Sequence, residues 1–441
     1  MLKHAPHWLL AGTLAATAGC DLDRTNPNAP TQEATLSSPD GVMALGVGLQ
    51  NRYGTSLSNL IYTAGLVTDE FAATVNSLIN VRDAEQGRVA QGAGLVADLW
   101  NSNYRTIKSA NDILASARNV TMEPGTRSGL LGLAFTFKAA AFGELLMGFD
   151  SVAVGTYATE TPAFDGREAV LDSALAMLDS AERVITDTLP SARFNSTVLA
   201  RGLDLRNTIR AFRARFLRMA GDDAGALAAA DLVDRRVFSI LPFDANNRNP
   251  VFVNSAGSSS VLPRDSFRLK APVTEAPRVA YHVTEATGAS FVGFFQPNDA
   301  FARYGVQTAS IPTYYPDEML LIKAEALVNL GRLAEAQAAL DSVRTDCPGL
   351  VAADPNACLP AYAGPLDAAT LLAEIYDNRK YELYATGLRW EDARRVNQVG
   401  ATAVAKRCWL PYPIAERNGN PDNVPQDPEG EDAPAFPAQC F

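Results

Sequence analysis

Gly331 sits at the centre of a spacing that few folds can use. Ala324 and Leu327 precede it by seven and four residues, Ala336, Leu340 and Val343 follow by five, nine and twelve, and Pro348 ends the run. These intervals place the apolar residues on facing stripes of two helices joined at the glycine. Ala324 and Ala336 are small enough to let the helices approach closely, while Leu327, Leu340 and Val343 fill the seam. The same offsets recur around Gly221, with Ala214 and Leu217 before it and Ala226, Ala230 and Val233 after it. One such match fits any helical hairpin. Two at one set of offsets predict a repeat.

The spacing is that of a tetratricopeptide unit, whose period is about 34 residues. Helical periodicity also runs through 42–53, 57–67 and 92–114, the last with Leu99, Tyr104, Ile107, Ala110 and Leu114 on one stripe. Residues 130–149 are almost wholly apolar, with Lys138 and Glu144 as the charges. That stretch could be taken for a membrane span, but a helix apolar all round is also the buried member of a helical stack, which is the reading adopted here. Further helices are expected over 167–186, 203–233 and 366–396. Between about 238 and 313 the helical period is lost, Asn, Ser, Pro and Gly are dense, and aromatic residues gather at Phe291, Phe294, Phe295 and Tyr304. Loops of that length in a compact protein are usually functional or disordered.

The N-terminus sets the compartment. Lys3 opens a short positive region, residues 8–18 are apolar and small, and Thr17-Ala18-Gly19-Cys20 follows. This reads as a secretory signal peptide over residues 1–19, too short for a span of about 20 apolar residues. A Cys directly after Ala-Gly resembles the bacterial lipoprotein cleavage site, so Cys20 would become the lipidated N-terminus. Residues 20–40, with Asn26-Pro27-Asn28-Ala29-Pro30, read as an extended tether. Export gives the other cysteines a meaning, because Cys347, Cys358, Cys408 and Cys440 are an even set suited to two disulfides. Three pairings are open. Cys347–Cys358 would close a short Pro-bounded loop and Cys408–Cys440 would tie down the Pro-rich tail over 397–441, so that pair is favoured. A metal site would want His or CxxC spacing, which these cysteines lack.

The chain carries a net charge of −11, and losing residues 1–19 removes Lys3 and no acid. It therefore lacks the basic footprint of a nucleic-acid binder, and membrane attachment would rest on acyl chains. His282 is the one histidine beyond the signal region. That excludes a multi-His metal site and an HExxH motif, and any Ser-His-Asp triad would have to use it. No cofactor motif is present. The enzyme reading that survives is a carboxylate pair of glycosidase type, with Asp69-Glu70 as its candidate, although adjacent acids usually mark a solvated turn. Around Ile375, Leu371, Leu372, Tyr376 and Leu383 share a helix face with Arg379 and Glu382, which reads as a buried ion pair.

Several of these pieces coincide with one family. Asn26-Pro27-Asn28-Ala29-Pro30-Thr31 after a lipoprotein Cys, Trp100…Tyr104…Ile107…Ala110-Asn111, and Tyr315-Pro316-Asp317-Glu318 leading into Ala324-Glu325-Ala326 resemble the SusD/RagB family. So do Glu382-Leu383 with Gly387-Leu388-Arg389-Trp390-Glu391-Asp392, and Leu410-Pro411-Tyr412-Pro413 before Asn420-Pro421. The resemblance implies a mainly α fold of about four tetratricopeptide-like helix pairs and an irregular, loop-rich ligand-binding half. It places a single SusD-like domain over 41–441, with repeats over about 41–237 and 314–396 and the irregular insertion over about 238–313. It also implies a lipoprotein of the bacterial outer membrane, facing the exterior, that binds oligosaccharides or peptides without cleaving them. Its partner would be a TonB-dependent, SusC-like transporter. A helical-repeat scaffold without a small ligand is the alternative, and a glycosidase is the second.

The expected ligand site has two walls. One is the aromatic insertion, with Phe291, Phe294 and Tyr304; the other is the polar loop holding Asn76, Asn80, Arg82 and Asp83, by resemblance to where relatives place their site. Aromatic faces with a few polar groups suit a sugar. The competing reading is that these aromatic rings close the core under the loop. Relatives often stack sugar on Trp, whereas Trp100 and Trp390 here fall in helical motifs and Trp409 adjoins a cysteine. Phe or Tyr would have to serve.

Overall fold

Gly331 has φ +75° and Gly221 φ +78°. Each follows a helix, Pro316–Asn329 and Leu205–Ala220 respectively. The Asp222 amide donates to the Leu217 carbonyl at 3.0 Å, and the Arg332 amide donates to that of Leu327 at 2.8 Å, closing the two turns in the same way. No heavy atom lies within 4 Å of where a Cβ would stand on either glycine. The left-handed backbone, and not crowding, is what requires glycine there.

The computed structural model describes residues 31–155, 161–286, 299–347, 355, 357–399, 404–430 and 440. Its frame is a stack of helical hairpins. The first pair is α1 (Pro39–Val67) with α3 (Gly94–Asn119), with a short helix, α2 (Ile79–Glu85), between them in sequence. Next come α4 (Pro124–Gly148) with α5 (Arg167–Asp187), then α6 (Leu205–Ala220) with α7 (Asp223–Asp231), then α8 (Pro316–Asn329) with α9 (Leu333–Arg344). Neighbouring hairpins pack in that order, and α10 (Ala368–Glu382) closes the stack on α8 and α9, followed by α11 (Arg389–Arg395). The fold is mainly α and tetratricopeptide-like, with four helix pairs.

Both sequence repeats are seams as expected. Ala324, Leu327, Ala336, Leu340 and Val343 belong to one buried cluster, which Leu371 and Ile375 of α10 complete. Ala214, Leu217, Ala226, Ala230 and Val233 belong to another, completed by Tyr314, Met319 and Ile322. The other face of α8 is thus the lid of the preceding hairpin, which is why α8 has almost no exposed side. Helix α4 is long and apolar enough to cross a membrane by length and composition, but most of it is buried in the stack, with the polar Glu144 buried too.

Some boundaries differ from expectation. The stretches 42–53 and 57–67 form one continuous helix, α1, because Gly54 and Ser56 pass inside the packed face and the Ser56 hydroxyl bonds that of Thr106 at 2.8 Å. The stretch 366–396 is broken into α10 and α11 by a turn with Ala385 at φ +56° and Gly387 at φ +85°. Within the presumed tether, Gln32–Leu36 is a helix capped by the Thr31 hydroxyl. Over 238–313 the chain makes short antiparallel pairings: Ile240–Leu241 with Ile311–Pro312, and Val283–Glu285 with Asp299–Phe301. Two strands that matter below are β1 (Phe71–Ala73) and β2 (Val261–Pro263), which pair with each other. The favoured disulfides are both formed, Cys347–Cys358 and Cys408–Cys440.

The turn glycines generate a comparison. Gly331→Ala should lower the melting temperature, at a cost of about 1–2 kcal/mol for a left-handed non-glycine residue. Gly48→Ala in α1, where a Cβ meets nothing within 4 Å, should raise it, by roughly 0.5–1 kcal/mol. Equal melting temperatures for Gly331→Ala and the wild type would show that the repeat turn does not depend on that backbone.

Candidate functional site

The β1–β2 pairing joins two loops that are far apart in sequence. After β1, the Thr74 hydroxyl donates to the Ser259 carbonyl at 2.5 Å, the Ser77 hydroxyl donates to the Ser260 carbonyl, and the Asn76 amide donates to Ser259 at 3.4 Å. Ser259 itself has φ +52°. Between these zipped loops and the helical stack lies a pocket of about 290 Å³, near the lower end of the roughly 300–1,000 Å³ usual for ligand sites. Helix α1 supplies Asn59, Tyr62 and Thr63 to it, α3 supplies Leu95 and Asp98, and the start of α2 supplies Leu78 and Asn80. Asn254, Ser258 and Ser260 form the remaining wall.

Its chemistry is mixed in a useful way. Tyr62 is half-buried, and burial pushes its phenol up to about 12, against the neighbouring Ser260 hydroxyl, with Asp98 adding to the rise. Burial also raises the Asp98 carboxyl, partly countered by Arg105. The Asn59 side chain donates to the Asp98 carbonyl and the Ser102 hydroxyl, both at 3.1 Å, and so stands fixed across α1 and α3. Among the described residues the Asn80 and Asn254 amides and the Asp98 carboxylate have no hydrogen-bond or ion-pair partner within the chain. Leu78 and Ile79 at the rim are 72% and 70% exposed. The site offers an aromatic surface, an apolar lip and uncommitted donors and acceptors.

Of the residues the sequence pointed to, Asn80 lines this pocket. Arg82 does not: its guanidinium donates to the carbonyls of Val75 at 3.0 Å and Ser77 at 2.9 Å, so it braces the loop instead of facing a ligand. Asp83 pairs with Arg88. Tyr304 is 1% exposed and packs with Phe301 in the main core, so its ring is part of the core and does not face the pocket. Phe291 and Phe294 lie outside the described residues, as does Cys20. The tryptophans among the described residues, Trp100, Trp390 and Trp409, are all buried and offer no stacking platform. Sequence reading missed Asn59, Tyr62 and Asp98. A usable signal was present: Asn59, Tyr62 and Thr63 stand three and four residues apart on an otherwise apolar helix.

The two largest of the other depressions among the described residues are less suited to a ligand. One of about 600 Å³ lies between α5, α6 and α7, but its charged rim is committed to itself through Arg210–Glu182 and Arg213–Asp179. The other, about 620 Å³, is bordered by Gln91, Arg417 and Asp427, which bond one another.

With the frame and pocket in view, comparison with known proteins is informative. Residues 280–428 match the model of the SusD family. A SusD superfamily protein from Bacteroides thetaiotaomicron VPI-5482 superposes with a TM-score of 0.67 at 16% identity, over 88% of this chain and 99% of that one. A laminarin binding SusD-like protein gives 0.67 at 16% identity, over 88% and 98%. A SusD-like carbohydrate binding protein from Bacteroides vulgatus ATCC 8482 gives 0.63 at 16%, over 81% and 83%. No curated protein sequence matches the chain. The helical stack has the fold of the SusD-like structures. The SusD family model thus matches about the last third of the chain, and the solved structures share its fold.

Of the groups that sequence reading nominated for catalysis, His282 and Glu70 are buried and Asp69 is part-exposed and ion-paired. His282 is 1% exposed among Phe267, Tyr281, Tyr315 and Tyr384, and burial lowers its pKa to about 3. Asp69 and Glu70 do sit in a turn, but only Asp69 is part-exposed there; Glu70 points inward. Asp69 is bonded by the Arg389 guanidinium at 3.1 and 3.2 Å; burial alone would raise its pKa, and Arg389 more than offsets that. Glu70 is 3% exposed, accepts from the Ala385 amide at 3.0 Å, and has no partner for its other oxygen, Oε2. Burial pushes its carboxyl up to about 8, the Ala385 amide acts the other way, and Asp69 adds to the rise.

Glu70 therefore imposes a pH dependence with a defined sign. The folded protein holds this proton up to about pH 8, whereas an unfolded Glu releases it near its ordinary value of about 4.3. Across that window the folded state binds more protons, so the Glu70 contribution to stability falls as pH rises and levels off above about 8. Glu70→Gln keeps an acceptor for Ala385 and cannot ionise. Its melting temperature relative to wild type should climb from about pH 5 to 8 and then stay flat. A constant difference at pH 5 and pH 8 would contradict the burial of this carboxyl.

Proposed function

We propose that this protein is a glycan-binding lipoprotein, anchored at the outer membrane through acylated Cys20 and facing the exterior. Residues 41–441 act as one SusD-like unit that captures oligosaccharides and passes them uncut to a TonB-dependent, SusC-like transporter. The observation that carries the reading is the pocket between β1–β2 and helices α1–α3: a half-buried tyrosine ring surrounded by uncommitted amides and a carboxylate. A sugar presents just such a mixture, apolar C–H faces edged by hydroxyls that both donate and accept. A laminarin binding protein of the same fold supports a glycan over a peptide. The exposed Leu78–Ile79 lip, beside the pocket mouth, gives either the ligand or a partner an apolar surface to meet.

Calorimetry against laminari-, cello- and xylo-oligosaccharides tests this directly. Tyr62→Ala and Asn80→Ala should each weaken binding with the circular dichroism spectrum unchanged, Asn80→Ala by about 1 kcal/mol for a lost hydrogen bond and Tyr62→Ala by more. Oligosaccharide recovered after long incubation should have its original length on chromatography. Shortened products would overturn the binding reading. Unaltered affinity in both variants would move the site elsewhere.

A further inference from the structure

We propose that this pocket selects its glycan by charge, admitting uncharged oligosaccharides and rejecting uronate-containing or sulfated ones, with Asp98 as the discriminating residue. The inference rests on the reading of the pocket as the glycan site. Asp98 is the one charged side chain among the described residues that line it. The carboxylate stands on α3 in the pocket with Tyr62, without an ion-pair partner among the described residues, so it is available to accept hydrogen bonds from the hydroxyls of a neutral sugar. A charged acceptor makes shorter and stronger bonds of that kind than a neutral one.

The cations that could reverse this are engaged elsewhere or too far along the frame. Arg82 is bonded to the Val75 and Ser77 carbonyls, and Arg88 is paired with Asp83. Arg105 acts on Asp98 only from two helical turns further along α3. A ligand carboxylate or sulfate entering here would face Asp98 with no cation among the described lining residues to compensate, and placing like charges together across an interface is costly. The chain's net charge of −11 adds a long-range term of the same sign.

The test compares neutral laminari-oligosaccharides with oligogalacturonates and sulfated oligosaccharides of equal length, by calorimetry at low and high salt. The proteins are wild type, Asp98→Asn and Tyr62→Ala. Wild type should bind the neutral glycan at least about tenfold more tightly than either anion at low salt. Asp98→Asn, which is isosteric, should narrow that gap by strengthening anion binding, and added salt should narrow it in wild type. Tyr62→Ala should weaken neutral binding. Equal wild-type affinity for neutral and anionic glycans, or a gap that Asp98→Asn leaves intact, overturns the charge selection while the glycan site stands. Loss of no affinity in Tyr62→Ala, or no binding of any glycan, overturns the site and the charge selection with it.

Discussion

Glu325 is a carboxylate with no exposed surface, and the last third of the molecule is built around holding it. It accepts the Tyr376 hydroxyl from α10 at 2.8 Å, two bonds from Arg395 of α11 at 2.8 and 3.0 Å, and a contact from Arg218 of α6. Arg395 also bonds Asp392, which takes a second bond from Arg379 at 2.8 Å. Burial would raise the Asp392 carboxyl, and Arg379 and Arg395 together hold it well below the usual range instead. A buried charge is tolerated only when paired, and removing one partner typically costs about 3–5 kcal/mol. This network therefore ties the third and fourth hairpins to the two closing helices, since none can shift without leaving a buried charge unpaired.

The constraint reaches the pocket by a short route. The motif Arg389-Trp390-Glu391-Asp392 spends each side chain on structure. Asp392 holds α10 through Arg379, Glu391 takes Arg394 and Arg167, and the Trp390 indole donates to the Arg407 carbonyl at 2.7 Å. Arg389 grips Asp69 at the end of α1. One residue on, the Glu70 carbonyl accepts from the Tyr384 hydroxyl at 2.8 Å and from the Arg264 amide, and β1 begins. The C-terminal helices thus set where β1 leaves the stack, and β1 sets where the 74–80 loop meets the 254–260 loop. This charge-rich motif is the clamp that aims the two loops of the pocket.

This explains what the sequence could and could not reveal. Repeat seams are local: Ala324, Leu327, Ala336, Leu340 and Val343 lie within one hairpin, so their spacing survives in one dimension. The disulfides were legible because export and an even cysteine count leave few pairings. Charge partners were not legible. Arg379 and Glu382 do lie buried on one face, but each pairs away from the other, Arg379 with Asp392 and Glu382 with Arg278. The pocket was the least legible part, since it gathers residues 59–63, 78–81, 94–98 and 254–260 and no periodicity links such segments. Asn80 was found through resemblance, whereas Tyr304, chosen for its aromatic neighbours, belongs to the core.

The central claim is that these four segments form the place where a glycan binds. Hydrogen exchange of the intact mature protein, read by mass spectrometry with and without a saturating laminari-oligosaccharide, tests it without altering any residue. Peptides covering 74–81 and 254–260, together with the pocket-facing turns of α1 and α3, should exchange more slowly with the sugar bound. The depression between α5, α6 and α7 should be unaffected. Protection confined to that depression, or none in the two zipped loops under saturating ligand, would contradict the account.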